Sequence, residues 1–396
     1  MKAIQLAKVP LAKRSRPDIL IIAGEASGDE HAAQMVKDLL QKHSQLSIYA
    51  FGGRNLRSVG AHLLYDLTQH SVVGIYEVLK HLRLFRQLMS AVIAWINTHQ
   101  PRTVCFVDYP GFNLRIAKEL FKRGLSCKNG GDVALYYYIS PQVWAWKARR
   151  RFSMAEWLDH LAVIFPFEKK VFKDTSLKVS FVGHPLLQTE LNLGIFYDPK
   201  GPLLLLPGSR VASVRRIFPL MLETFRQLRQ SSPQLSAVVL YSDDRVLNEL
   251  RVVFLKYKDL WQYLRFYHIE DSNLSYSASL MSSGTMSLKC ALAAIPSVIA
   301  YKIHPLTYML AKRFVKIPFI GMANILLKRM SIPEYIQEAA HPDILCGEIS
   351  ECLQDPRRIM KVREDADALK IVLDVKPDMS AADWLYSSLK EEKDAS

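Results

Sequence analysis

Ile19-Leu20-Ile21-Ile22-Ala23-Gly24-Glu25-Ala26-Ser27-Gly28-Asp29 passes from an apolar run into a loop of small and acidic residues, and Glu30–Lys42 follows with helical spacing. A buried strand, a short loop and an amphipathic helix make one α/β unit. The grammar recurs in the second half. Leu203–Leu206 is apolar, Pro207-Gly208-Ser209-Arg210 is the loop, and a helix lies near Val214–Arg229. Further strands are expected at Ser47–Phe51, Thr103–Val107, Val133–Ile139, Leu161–Phe165 and Ser180–Val182, then at Ala237–Tyr241, Arg265–Tyr267 and Ser297–Tyr301. Most are apolar on both faces, which predicts parallel sheets covered by helices on each side. The fold class is α/β, with two Rossmann-like parallel-sheet domains facing across a cleft and a helical C-terminal tail.

The 396 residues suffice for two domains with separate cores. Residues 1–17 read as a flexible basic extension and 18–190 as the first domain. Residues 200–345 read as the second, with the linker in Leu186–Gly201. The tail 346–396 is free to pack back on the first domain. A formal charge of +14 suits nucleic acid, an anionic membrane or phosphorylated substrates, and equally a solvated basic face. The five cysteines contain no CxxC pair, which fits a reducing cytoplasm better than a disulfide framework. No apolar run approaches a membrane span, and the N-terminus lacks the apolar centre of a signal peptide.

Glu25, Ser27, Gly28 and Asp29 lie where open α/β sheets place ligands. The stretch is neither a P-loop nor a dinucleotide fingerprint, and Ser27 or Asp29 serves equally well as a helix cap. Asp108 directly follows a buried strand. It suits a base that takes a hydroxyl proton, or a turn carboxylate. Trp144, Trp146 and Lys147 with Arg149–Arg151 mix aromatics and cations, as nucleic-acid or acylated-phosphosugar binding requires, and as a solvated helix face also allows. Gly208, Ser209 and Arg210 place N–H groups and a guanidinium at a helix start, and Ser283, Gly284 and Thr285 repeat the device. Together they suit a diphosphate. Asn324, Glu334, Gln337 and Glu338 are polar residues in an apolar region, suited to a base or ribose or to capping. His184, before Pro185, reads as a packed turn histidine. No HExxH is present, and Asp365-Ala366-Asp367 reads as a solvated helix face, so no metal is expected.

The ordered motifs resemble the lipid-A-disaccharide synthases, glycosyltransferases of the GT-B type. The carriers are AGEASGD (23–29), VGIYEVL (73–79), VDYPGFN (107–113), YISPQVWAW (138–146), FPFE (165–168) and VGHP (182–185). In the second half they are LPGSR (206–210), SGT (283–285), LAKR (310–313) and PEYIQE (333–338). The resemblance implies a UDP-sugar-dependent hexosyltransferase of Gram-negative lipid A biosynthesis. It moves 2,3-diacylglucosamine, with inversion, from UDP to the 6-hydroxyl of 2,3-diacylglucosamine 1-phosphate, giving a β-1,6 disaccharide and UDP.

By the same resemblance Asp108 is the general base. Gly208, Ser209, Arg210, Ser283, Gly284, Thr285, Asn324, Gln337 and Glu338 form the nucleotide-sugar site, and Glu25, Ser27, Gly28 and Asp29 an acceptor or cleft loop. No cofactor or metal is implied. The family is peripheral on the inner face of the inner membrane, where Val73, Leu79, Leu82 and Leu84 suit docking, although a core-facing helix has the same pattern. A homodimer is compatible with it, and nucleic acid is not expected. Departures from the family pattern are Ser213 and Lys289, where it carries Glu, Ala323 for Pro, and Gly111 for Asp. Glu334 or Glu338 is the candidate substitute for the missing carboxylates. The departures and the Arg149–Arg151 run keep two other readings open. One is a related GT-B transferase with another nucleotide sugar; the other is a degenerate, non-catalytic protein binding phospholipid or nucleic acid.

Overall fold

A computed structural model describes residues 6–7, 16–70, 75–188, 194–269, 273–305, 308–309 and 317–390; the side chains of 69–82 and 188 lie outside that description. The chain divides into two compact units, Met1–Pro185 with Val375–Ser396, and Leu186–Asp374.

The first unit is built on a parallel sheet of β1 (Ile19–Ala23), β2 (Ile48–Gly52), β3 (His62–Asp66), β4 (Thr103–Val107), β5 (Ala134–Tyr138), β6 (His160–Val163) and β7 (Lys178–Phe181). Their order is β3-β2-β1-β4-β5-β6-β7. Every residue of β1, β2, β4 and β5 is buried, as expected of strands covered on both faces. Alternation sends Leu20, Ile22, Phe106 and Tyr137 into one core with Trp95 and Phe112 from the helices Ile75–His99 and Pro110–Lys122. The helix Ala26–Lys42 buries Ala32, Met35, Val36 and Leu39, a stripe at helical spacing.

The second unit contains β8 (Ile195–Tyr197), β9 (Leu203–Leu206), β10 (Ala237–Tyr241), β11 (Leu264–His268), β12 (Leu274–Tyr276), β13 (Ala278–Met281), β14 (Ser297–Tyr301) and β15 (Glu334–Ile336). Six form a parallel sheet in the order β11-β10-β9-β13-β14-β15, and β12 pairs separately with β8. The helix Val211–Ser231 covers it with Val214, Ile217, Phe218, Met221 and Phe225.

The structure departs from the sequence expectations in several places. The helix after β1 begins at Ala26, so Ser27, Gly28 and Asp29 are in its first turn rather than in a loop. The helix after β4 begins at Pro110, whose ring presets the helical φ at the first position. Residues 346–396 are not one tail. Leu345, Ile349 and Cys352 of the helix Pro342–Gln354 join the core of the second unit, whereas the helix Ala381–Lys390 belongs to the first. There Trp384, fully buried, packs on Tyr136, Tyr138 and His160, and Lys42 pairs with Asp383 at 2.8 Å. Of the basic extension, the described residues are held. Leu6 packs on the first core, Ala7 N–H donates to Leu64 O, and Arg16 donates to Gln100 O and Asp132 O.

Candidate functional site

In the first sheet the strand order reverses between β1 and β4, and both loops that follow them carry acidic side chains. This is the topological switch point at which open α/β sheets bind ligands. Asp108 and Tyr109 both have left-handed backbones, with φ of 44° and 49°. A non-glycine residue there costs about 1–3 kcal/mol, so the surroundings must enforce it. They do so through Asp108's own backbone. Its N–H donates to Tyr138 O at 3.0 Å, and its carbonyl accepts from Asn113 Nδ2 at 2.7 Å and from the Tyr137 hydroxyl at 2.6 Å. Asn113 and Tyr137 are fully buried. Burial and the field of Asp108 hold the Tyr137 phenol well above its ordinary range, so it remains a donor. The Asp108 side chain, half-buried, stands on this braced turn.

Gly24 faces the same turn: a Cβ there would come within 2.2 Å of the Tyr109 ring, so only glycine permits the approach. Glu25 is half-buried at the N-cap of the helix Ala26–Lys42 and makes no side-chain cap bond. Ser27 is half-buried in the first turn, and Gly28 packs beneath it near Val107 O. Asp29 neither lines a loop nor caps its own helix. Its carboxylate, 2% exposed, accepts from the N–H groups of Gly53, Asn55 and Leu56 at 2.6, 2.9 and 3.4 Å, tying β2 to the helix Arg54–Ser58. Burial nevertheless raises its pKa above the ordinary value. Asp29 is therefore a clasp that orders the sheet end beside Glu25.

Glu168 was not singled out as a site residue in the sequence. Fully buried, it accepts from Trp144 Nε1 at 3.2 Å and Phe165 N–H at 3.1 Å. Burial raises its pKa to about 7, opposed by these hydrogen bonds and aided by the field of Asp108. It thus lies within electrostatic reach of Asp108 and fastens the segment that leads to Lys147 and Arg150. The only hint in the sequence was the FPFE motif, which does not say which way the carboxylate turns. His184 packs against the Phe165 ring, and burial and His31 lower its pKa to about 3, so it is a neutral packing group.

In the second sheet the reversal falls between β9 and β13, which pair with Leu206 opposite Met281. The two small-residue loops, far apart in sequence, therefore emerge side by side. Gly208 has φ of 106°, and a Cβ there would lie 2.8 Å from Ser213 Oγ and 3.0 Å from Ser282 Oγ. Arg210 is the exposed N-cap of the helix Val211–Ser231, and its field reaches Tyr301 at the end of β14. Gly284 caps the helix Thr285–Leu292, while Ser283 Oγ donates to Ile320 O at 3.0 Å. Ser209 and Thr285 are exposed.

The polar residues further on are occupied within the protein. Asn324, fully buried, accepts from Ser331 and Ile332 N–H and donates to Ile332 O and Glu334 Oε1. Glu334 also accepts from Ile320 and Gly321 N–H, each at 2.8 Å, so it braces the segment that Ser283 touches. Gln337 pairs its amide with both backbone groups of Ile303 at 2.8 and 3.2 Å. Glu338 is exposed. Ser213 Oγ, where the family pattern has a carboxylate, donates to Pro207 O at 2.9 Å and steadies the Gly208 loop. Lys289 is half-buried in the helix Thr285–Leu292.

Of the residues expected at a membrane, Val73 lies outside the described residues, as do the side chains of Leu79 and Leu82. Leu84 packs against the first core. Among the described residues no helix is long and apolar enough to cross a membrane, and no group of three His, Cys, Asp or Glu is arranged to hold a metal ion.

A family model described as lipid-A-disaccharide synthetase matches residues 19–376. Lipid-A-disaccharide synthase 1 of Legionella pneumophila (strain Philadelphia 1) is 34% identical over 385 residues, covering 94% of this chain and 98% of its own. The lipid-A-disaccharide synthase of Geobacter sulfurreducens is 34% identical over 354 residues, covering 87% and 90%. Among solved structures, the UDP-GlcNAc 2-epimerase of Neisseria meningitidis bound to UDP-GlcNAc superposes with a TM-score of 0.58 at 11% identity, covering 95% of this chain and all of that one. A spinosyn rhamnosyltransferase complexed with thymidine diphosphate gives 0.53 at 11% identity, over 94% and 100%. At that identity the likeness is one of fold, the two-unit GT-B fold.

Proposed function

The chain belongs to the lipid-A-disaccharide synthase family, and from that premise we infer that it transfers 2,3-diacylglucosamine from UDP to the 6-hydroxyl of 2,3-diacylglucosamine 1-phosphate. The observation that carries the reading within the fold is the chemistry at the two strand reversals: a braced carboxylate at one, and paired small-residue loops with an arginine at the other.

Asp108 takes the proton of the acceptor hydroxyl as its oxygen attacks the anomeric carbon. The bond from that carbon to the diphosphate breaks, and the electron pair leaves with UDP. Attack opposite the leaving group inverts the anomeric centre. Arg210, the Gly208 and Ser283 loops and the two helix starts meet the charge that grows on the diphosphate. Asn324, Glu334 and Gln337 act through the backbone they hold rather than by direct contact. The reaction so written draws on no resident cofactor. The +14 charge favours approach to an anionic membrane surface, where the diacylated substrates reside, and supports a peripheral position on the cytoplasmic face.

The test is an assay of the purified chain with UDP-2,3-diacylglucosamine and 2,3-diacylglucosamine 1-phosphate, detecting disaccharide and UDP by mass. Formation of both in equal amounts is expected. Absence of both with intact, folded protein overturns the reading.

A further inference from the structure

Three cations gather near the Asp108 turn. Lys147 Nζ lies 4.5 Å from the centroid of the Trp146 ring, and Arg150 Cζ lies 5.4 Å from the same centroid. Both therefore flank one indole, itself 41% exposed. Arg115 stands on the helix that follows Asp108, its guanidinium 5.9 Å from the Phe85 ring, and Phe85 in turn packs on Tyr109. Among the described residues none of the three forms an ion pair. Burial, then the fields of Arg150 and Arg115, lower the pKa of Lys147. Burial likewise lowers that of Arg150. Arg150 also acts electrostatically on Tyr137, whose hydroxyl holds the Asp108 carbonyl. Like charges held together with no ion-pair partner among the described residues repel one another, and a bound anion relieves the repulsion.

We propose that Lys147, Arg150 and Arg115 form the seat for the phosphomonoester of the acceptor sugar. The inference rests on the acceptor named above. In that molecule the phosphate on C1 and the hydroxyl on C6 flank the ring oxygen, so a phosphate seat beside the base brings the hydroxyl within its reach. A phosphomonoester carries close to two negative charges at neutral pH and three acceptor oxygens. Guanidinium forks match those oxygens in pairs, and an ammonium adds a compact charge. Trp146 holds two of the cations on its face. Anionic lipid headgroups offer the same phosphate chemistry, so the two sources must be separated by experiment.

The variants are Arg150→Ala, Lys147→Ala and the charge-keeping Arg150→Lys, each in the full chain and checked by thermal melting. Initial rates are measured against acceptor and donor in turn, with detergent-dispersed substrates. The two alanine variants should raise the acceptor KM about tenfold or more, leave the donor KM unchanged, and Arg150→Lys should recover part of the loss. With an acceptor lacking its phosphate, the difference between wild type and variants should vanish. Flotation with phosphatidylglycerol vesicles supplies the other arm, and the variants should float as wild type does. Lost flotation with an unchanged acceptor KM would assign the cluster to the bilayer and overturn the proposal. So would an unchanged acceptor KM with active wild-type enzyme. An inactive wild-type enzyme would instead sink the transferase reading itself.

Discussion

The Tyr137 hydroxyl donates to the backbone carbonyl of Asp108 across 2.6 Å. A side chain on the neighbouring strand thus reaches over the end of β4 and holds the residue after it in a left-handed turn. The phenol is buried and stays protonated, so the contact is a permanent donor rather than a titrating one. Tyr137→Phe removes that donor while the Asn113 amide still donates to the carbonyl. Stability should fall by about 1 kcal/mol, and kcat by roughly tenfold as Asp108 loses its orientation. Melting and single-turnover rates check it. A slower variant with unchanged Tm and unchanged pH profile would point to a role other than bracing.

Asp108→Asn keeps the shape of the side chain and its braced backbone but cannot accept the hydroxyl proton. Turnover should drop by about a hundred- to ten-thousandfold, with UDP affinity unchanged. Calorimetric titration with UDP alongside the rate assay separates the two. Near-normal turnover would remove Asp108 from the chemistry.

Glu168→Gln has a pH signature. Burial raises the folded pKa of Glu168 from 4.5 to about 7, so the folded state holds the proton more tightly than the unfolded chain. Folding then binds a proton, and stability falls as pH rises from about 4.5 to about 7. The span corresponds to about 3 kcal/mol, and a neutral amide does not share it. The wild-type chain should therefore lose stability relative to E168Q across that window and hold a constant difference above it. Denaturant midpoints for both proteins at pH 5, 6, 7 and 8 measure the slope, and parallel curves would refute it.

Arg210→Ala should weaken UDP by about ten- to hundredfold, the worth of a charge-assisted contact, and leave uridine binding untouched. Equal losses for the two ligands would move Arg210 away from the diphosphate. The guanidinium is exposed on its N-cap position, so the melting temperature should barely change.

Trp384→Ala tests the returning C-terminal helix. The indole is fully buried against Tyr136, Tyr138 and His160. Its loss should cost about 3–5 kcal/mol, as a large core cavity does. Denaturant unfolding measures it, and a loss within experimental scatter would show that this helix does not complete the first unit.

The alternation of apolar strands and helices was readable without coordinates because strands buried on both faces leave continuous apolar runs. β3, β8, β12, β13 and β15 escaped: four of them are three to five residues at an edge or in a separate pair, and the central β13 is only four residues long with Ser279 inside it, too little pattern in each case. Glu25, Asp108, Gly208 and Arg210 were placed after strands by their position alone, and Ser283 only at a helix start, because β13 before it was not read. Asp29 was legible as polar but not as a clasp, because its partners are backbone N–H groups of a different strand connection. Asn324 and Gln337 were legible as polar residues suited to a ligand or to capping, and folding brings to their amides the loops and strand end that take them up.

Strand periodicity, loop composition and ordered motifs were enough to establish an α/β chain of the synthase family, because those features are local and repeat along the backbone. Which polar groups remain available to a substrate was decided only in three dimensions. Hydrogen-bonding capacity is finite, and a side chain's partners come from whichever segments the sheet order brings beside it. That is why Tyr137, Asn113 and Glu168, given no role by the sequence, brace or electrostatically influence the Asp108 turn.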